Sequence, residues 1–177
     1  MENNPSQMLM GEHEIIKKSE NIIQAMYKLW EKDPEKYKAN VTRMLYFFKE
    51  YSDKFHHYKE EEVLFPEMRN HPDFVLDEII DELEEHHVMF REYAKDIKRL
   101  IETNELEKAH ETLNKYISNL LDHIAVEDDE LFSMAESLFN ADEFEKIYFK
   151  FKDIDRELGE KLKDELEKIP GELENSL

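Results

Sequence analysis

His56-His57-Tyr58-Lys59-Glu60-Glu61-Glu62-Val63-Leu64-Phe65-Pro66 is the stretch on which the fold turns. It sets His56 four residues before Glu60, and residues i and i+4 share one face of an α-helix. An imidazole and a carboxylate projecting together are donors for a borderline divalent metal such as Fe(II) or Zn(II). The order returns 67 residues on, from position 56 to position 123, as His123-Ile124-Ala125-Val126-Glu127-Asp128-Asp129-Glu130-Leu131-Phe132. A duplicated H-x-x-x-E-acid-x-x-L-F pattern predicts two related helical hairpins whose ligating faces meet.

Composition agrees with helices. The chain has 177 residues, 40% of them hydrophobic and 11% aromatic, with only 3 Gly and 5 Pro. That suits one domain with a substantial core and few turns. The 44 acids against 24 bases leave a net charge of -20, which repels phosphate backbones and anionic membrane surfaces, so neither nucleic acid nor membrane is an expected partner. There is no Cys, which excludes disulfides, thiolate nucleophiles and cysteine-ligated clusters. Any metal must use His and carboxylate. Met1 to Gln7 lacks the basic-then-apolar order of a signal peptide and no apolar run nears spanning length, so the expected location is the cytoplasm.

The periodicity predicts an up-down-up-down four-helix bundle with an additional C-terminal helix. Leu9, Ile16, Ile23, Met26 and Trp30 form the stripe of a first helix, with His13 among them. Asp33-Pro34 reads as an N-cap and first helical position opening a second helix through Val41, Leu45, Phe48 and Ser52. Eleven residues beyond Leu45, almost three whole turns, lies His56. His57 falls a further 100° round, and is expected on the flank. Pro66 is expected to end or kink this helix. A third helix, about Phe74 to Ile101, carries Ile79, Leu83, Phe90, Tyr93 or Ala94, Ile97 and Ile101, a series that His86 continues, with His87 at its other margin. A fourth runs through Leu113, Ile117, Leu120, His123, Glu127 and Leu131 toward Phe139. Asn140 to Glu143 has capping-box form, and opens a helix through Phe144, Ile147, Phe151, Ile154 and Leu158 that packs outside the bundle. The expected domain is residues 1–168, with Pro170-Gly171 releasing a polar tail over 169–177.

Burying four imidazoles and two carboxylates without a cation would cost several kcal/mol, so this inward set points to a metal centre. Glu61 competes with Glu60, because it pairs with His57 at the same spacing. Glu62, Asp128, Asp129 and Glu130 read as a solvated acidic face. Glu84-x-x-His87 and Glu107-x-x-His110 have the spacing of ferritin-like di-iron sites, but their glutamates lie off the apolar stripes.

At these residues the chain resembles the hemerythrin-like family, the HHE cation-binding domains. The marks are Glu12-His13 and Glu85-His86, H-H-x-x-E-E-x-x-L-F-P, and H-I-x-x-E-D-x-x-L-F. They span roughly residues 8 to 165. The resemblance implies a four-helix bundle around two non-haem irons, with His13, His56, Glu60, His86, His123 and Glu127 as ligands and the two glutamates bridging. Oxygen carriers of the family place a second histidine one turn from the first on the third helix. Here those positions are Glu82 and Phe90, which implies a four-histidine site, or Glu82 as a substitute ligand, and loss rather than reversible release of bound oxygen. The expected function is binding or sensing of dioxygen, nitric oxide or a related small ligand. The alternative is a di-iron enzyme or iron donor, in iron-sulfur centre repair or in peroxide or nitric oxide detoxification.

Overall fold

The computed structural model describes residues 3–177, and among them every regular element is helical. The first bundle helix is α1 (Pro5–Lys17) running on through Lys18 into α2 (Ser19–Ala25). Asn4 caps it by accepting from the Gln7 amide, and Pro5 stands in the first turn, where a missing N–H costs nothing. A short α3 (Leu29–Lys32) leads to Asp33, whose side chain accepts from the Lys36 amide and opens α4 (Pro34–Phe47). The second bundle helix then departs from α geometry. Phe48–His57 and Glu60–Leu64 are π-helical, with α5 (Phe65–Asn70) completing it.

Pro66 therefore does not end the helix, contrary to the sequence expectation. It sits where a wide turn passes into α5, and the π turn before it has already disrupted the i→i−4 ladder with which a proline ring would clash. The third helix is α6 (Asp77–Glu102). A turn at Thr103 and Asn104, the latter at φ 61°, a left-handed conformation asparagine tolerates, leads into α7 (Leu106–Val126). The fourth helix continues through π-helical Glu127–Leu131 into α8 (Phe132–Leu138).

The core falls into two apolar clusters. Ile16, Phe48, Phe55, Phe90, Leu120 and Ile124 belong to one; Leu9, Leu64, Phe65, Leu83, Leu131 and Phe132 belong to the other. Leu9 and Ile16 bracket His13 but lie in different clusters, and the same split occurs around His56, His87 and His123. A polar layer thus cuts the core across all four helices. Each fully buried Leu, Ile or Phe on either side is worth about 1.5–3 kcal/mol, which is what confines the layer between them.

The capping box at Asn140 is present: its side chain accepts from the amides of Asp142 and Glu143, and Glu143 accepts from the Asn140 amide at 2.9 Å. The helix it opens, α9 (Ala141–Leu158), lays Phe144, Ile147, Phe151 and Ile154 against the bundle. After Gly159 follow α10 (Glu160–Leu166) and α11 (Ile169–Ser176). The expected polar tail over 169–177 is corrected by α11. Pro170 stands in the first turn, where proline favours helix, and Ile169 and Leu173, one turn apart, are buried in the first core cluster. Arg43 also pairs with Glu172.

Candidate metal centre

Each helix of the bundle delivers its polar side chain to the layer between the two apolar clusters. α1 supplies His13, the second helix His56, His57 and Glu60, α6 His87, and the fourth helix His123 and Glu127; all are buried. The donor atoms fall into two groups, each within 4.8 Å: His13, His56, Glu60 and Glu127 in one, His57, His87 and His123 in the other. The two glutamates reach both. Glu60 Oε1 is 3.5 Å from His56 Nε2 and its Oε2 is 3.5 Å from His87 Nε2. Glu127 Oε2 is 3.3 Å from His13 Nε2 and its Oε1 is 3.1 Å from His123 Nε2.

None of these four carboxylate oxygens, all fully buried, has a hydrogen-bond partner of good geometry. Two orphaned carboxylates ringed by imidazole nitrogens are what a pair of cations would satisfy. The residues therefore fit a dinuclear metal site, with both glutamates placed to bridge.

The far nitrogen of each imidazole is held from outside. His13 Nδ1 meets Asp128 Oδ1 at 2.7 Å, His56 Nδ1 meets Glu12 Oε2 at 2.9 Å, and His87 Nδ1 meets Glu61 Oε1 at 2.8 Å. His57 Nδ1 meets Asp53 Oδ1 at 3.4 Å, and His123 Nδ1 lies 3.3 Å from His86 Nδ1. Such outer partners fix the tautomer and raise the basicity of a ligating ring. Here they leave Nε2 of His13, His56, His87 and His123 directed at the glutamates. Arg91 ties Asp53 and Glu61 together, at 2.8 and 2.7 Å. Phe132 stacks on His13, Phe65 on His87 and Phe90 on His57, closing the layer with apolar rings.

The charges across the layer are uneven. Burial, the neighbouring Glu127 and Glu12 raise the Glu60 carboxyl well above its usual range. Burial would raise Glu127 too, but His123 and His13 outweigh it and hold Glu127 well below. Burial alone would lower His13, yet Asp128 and Glu127 push it up to about 9. Burial and the charge on His13 bring His56 down to about 3, and burial, then His57, keeps His87 well below its ordinary value. Asp53 falls to about 2, because its bonds to His57 and Arg91 overcome its burial.

Of the six residues expected from sequence, the structure brings His13, His56, Glu60, His123 and Glu127 together. It does not bring His86, which lies on the outer side of His123 with its side chain 31% exposed and its Nε2 4.0 Å from Glu82. His87 occupies the inner position. The buried face of α6 is Ile80, Leu83, His87, Phe90, Ile97 and Leu100. The doublets Ile79-Ile80 and Leu100-Ile101 make either margin of Leu83, Phe90 and Ile97 apolar, so the letters alone do not choose between His86 and His87.

His57, expected on the flank, is buried and stacks on His87 with centroids 3.9 Å apart. A π turn takes more residues per revolution than an α turn, so the 100° step does not apply to 48–57, and both histidines face inward. The set thus has five imidazoles rather than four, the fifth coming from the second helix instead of the third. Asp128, expected in solvent, is a partner of His13 and Lys17. Glu61 supports His87. Glu84 points away to Arg69, and His110 sits among Tyr27, Trp30 and Tyr37, so neither ferritin-like pair enters the layer. A cavity of about 400 Å³ walled by Leu45, Phe48, Phe90, Ala94 and Tyr116 reaches His57. No helix among the described residues is long and apolar enough to cross a membrane.

No curated protein and no solved structure matches the chain. The family described as the hemerythrin HHE cation-binding domain matches residues 4–135, the four bundle helices that carry all seven inward donors. By that match and by its all-helical bundle, the chain belongs to the hemerythrin HHE cation-binding family.

Proposed function

We propose that this is a cytoplasmic non-haem di-iron protein that binds or senses dioxygen, nitric oxide or a related small ligand. The observation that carries the reading is the pair of orphaned, buried glutamates, each reaching two separate groups of imidazoles. His13 and His56 would hold one ion and His57, His87 and His123 the other, with Glu60 and Glu127 shared. The chemistry such a pair would supply, as ferrous ions, is up to one electron each to a small oxidant. The chain's own residues do the rest. Asp128, Glu12, Asp53, Glu61 and His86 hold the far ring nitrogens, so each imidazole is oriented before a ligand arrives. Phe65, Phe90 and Phe132 exclude water from the layer.

The division of donors favours one side for an exogenous ligand. With both glutamates shared, the His13 and His56 side offers two nitrogens and two oxygens, against three and two on the other. The five-imidazole set also removes the ground on which a four-histidine site was expected to lose its oxygen. Anaerobic reconstitution with iron(II), followed by elemental analysis, should give two irons per chain, and azide or nitric oxide should then change the visible spectrum. One iron per chain or fewer would refute the reading.

A further inference from the structure

A second cluster of buried charge lies behind His56, and half of it comes from beyond the family-matched region. Glu12 Oε1 contacts Lys59 Nζ at 2.6 Å and Lys163 Nζ at 2.5 Å. Asp155 closes the figure, its Oδ1 2.7 Å from Lys59 Nζ as an ion pair without hydrogen-bond alignment and its Oδ2 accepting from Lys163 Nζ at 2.7 Å. Two carboxylates and two ammoniums therefore alternate in a closed square of zero net charge. The side chains of Lys59, Asp155 and Glu12 are 0%, 2% and 4% exposed, and that of Lys163 is 12%. Only Glu12 Oε2 is left outside the square, and it takes the His56 Nδ1 hydrogen bond. Asp155 lies on α9 and Lys163 on α10, past residue 135 where the family match ends.

Desolvating four charges is expensive, and an ion square is often no more stable than apolar residues of the same volume. Its geometry nevertheless has one outlet, and that outlet is an imidazole of the metal layer. Without Asp155, both ammoniums would converge on a single oxygen of Glu12 with nothing to draw them off. Without Lys163, Asp155 would keep one partner and Glu12 would be free to turn about Lys59.

We infer that Asp155 and Lys163 are positioning residues for His56: through the square they fix Glu12, which fixes the His56 ring with Nε2 toward the layer. The C-terminal helices are thereby part of the metal site on its His13 and His56 side. The inference rests on the dinuclear reading for its metal test but not for its metal-free test.

Cobalt(II) titration of the full chain, followed by its visible ligand-field bands, would read the two sides separately, with His56→Ala and His57→Ala assigning them. Asp155→Asn and Lys163→Gln should weaken cobalt binding at the His13 and His56 side about 10- to 100-fold and leave the other side within about threefold. Lys163→Arg should restore it. A role confined to tying α9 and α10 to the bundle would weaken both sides together, and that result, or no change at either, would overturn the inference. In the metal-free protein, nitrogen-15 histidine spectra should show His56 protonated at Nδ1, with that proton's signal displaced or broadened in Asp155→Asn and Lys163→Gln. An unchanged His56 signal in both variants would also overturn it. If the wild type binds fewer than two cobalt ions, the dinuclear reading fails, and the metal-free spectra still decide the role of the square. Should Asp155→Asn not fold, Lys163→Gln, at the partly exposed corner, carries the same comparison.

Discussion

Glu60→Gln should act in opposite directions on the metal-free and the metal-loaded protein. Glu60 is fully buried, neither of its oxygens has a hydrogen-bond partner, and its carboxyl is held well above the ordinary value of 4.5 by burial, Glu127 and Glu12. An acid whose folded value is raised favours folding fully only below its unfolded value, and that contribution is lost as pH rises toward the folded one. At pH 7 metal-free Glu60 is therefore a liability, of the order of 1–3 kcal/mol for a carboxyl kept protonated as pH rises from its unfolded value of 4.5 toward 7. Glutamine keeps the shape and removes the ionisation. At about 2–4 °C per kcal/mol for a chain of this size, metal-free Glu60→Gln should melt about 2 to 12 °C higher than wild type.

Metal reverses the sign. An ion present at a hundredfold excess over its Kd adds about 2.7 kcal/mol, and Glu60 is one of the two donors common to both groups, so most of that gain should vanish in the variant. Glu127→Gln is the internal control. Glu127 is held below its ordinary value by His123 and His13, so its contribution is present above about pH 4.5 and lost as pH falls, and its replacement should lower metal-free stability at pH 7. Thermal melts of the wild type and both variants, in chelator and in iron(II) or zinc(II), give these comparisons. A metal-free Glu60→Gln that melts below wild type, or one that gains as much from metal as wild type does, would refute the reasoning.

Three other outcomes follow from the same geometry. His57→Ala should cost the protein one ion of the pair, read by elemental analysis, whereas His86→Ala should keep both bound and weaken only the His123 side by about tenfold; equal loss in the two would put α6 in the other rotation. His13, raised to about 9, stabilises the metal-free fold below about pH 6.5, a contribution lost as pH rises through 9. Metal must displace that proton, so calorimetry in buffers of differing ionisation heat at about pH 7.5 should show at least one proton released on metal binding, with any held by Glu60 adding to it, and none would contradict a charged His13. Leu173→Asp, which buries a charge where α11 meets α2 and α4, should lower stability by about 2–4 kcal/mol, read as a lower melting point, without changing metal stoichiometry, and an unaffected melt would mean that 169–177 is a polar tail after all.

The all-helical bundle, the caps at Asp33 and Asn140, and five of the seven inward donors were legible because they rest on local rules: i, i+4 spacing, a capping residue, a repeated motif. What was not legible depends on rotation. Either margin of α6 is apolar, so only packing against the other three helices chooses His87 over His86. The inward turn of His57 depends on a change of hydrogen-bond register over 48–57, which no residue type announces. Asp128 sits in an acidic run whose composition reads as solvent-facing, yet it lies within reach of a ring nitrogen, and Glu61, by its spacing a rival of Glu60, instead holds His87 from outside. Ile169 and Leu173 were passed over because Pro170-Gly171 looks like an ending, although proline at the start of a helix is favourable.

The π turns also bear on how this chain is to be compared with its relatives. In a row-by-row alignment, a histidine is matched to a histidine by its place in the string. A single residue gained or lost within 48–57 could return the segment to α geometry and swing everything beyond it round the helix axis, replacing His57 in the layer while leaving every ligand letter in its column. Conversely, two chains with histidines in different columns, one on the second helix and one on the third, can furnish the same five rings. For proteins of this shape, kinship of the site is written in hydrogen-bond register as well as in residue identity.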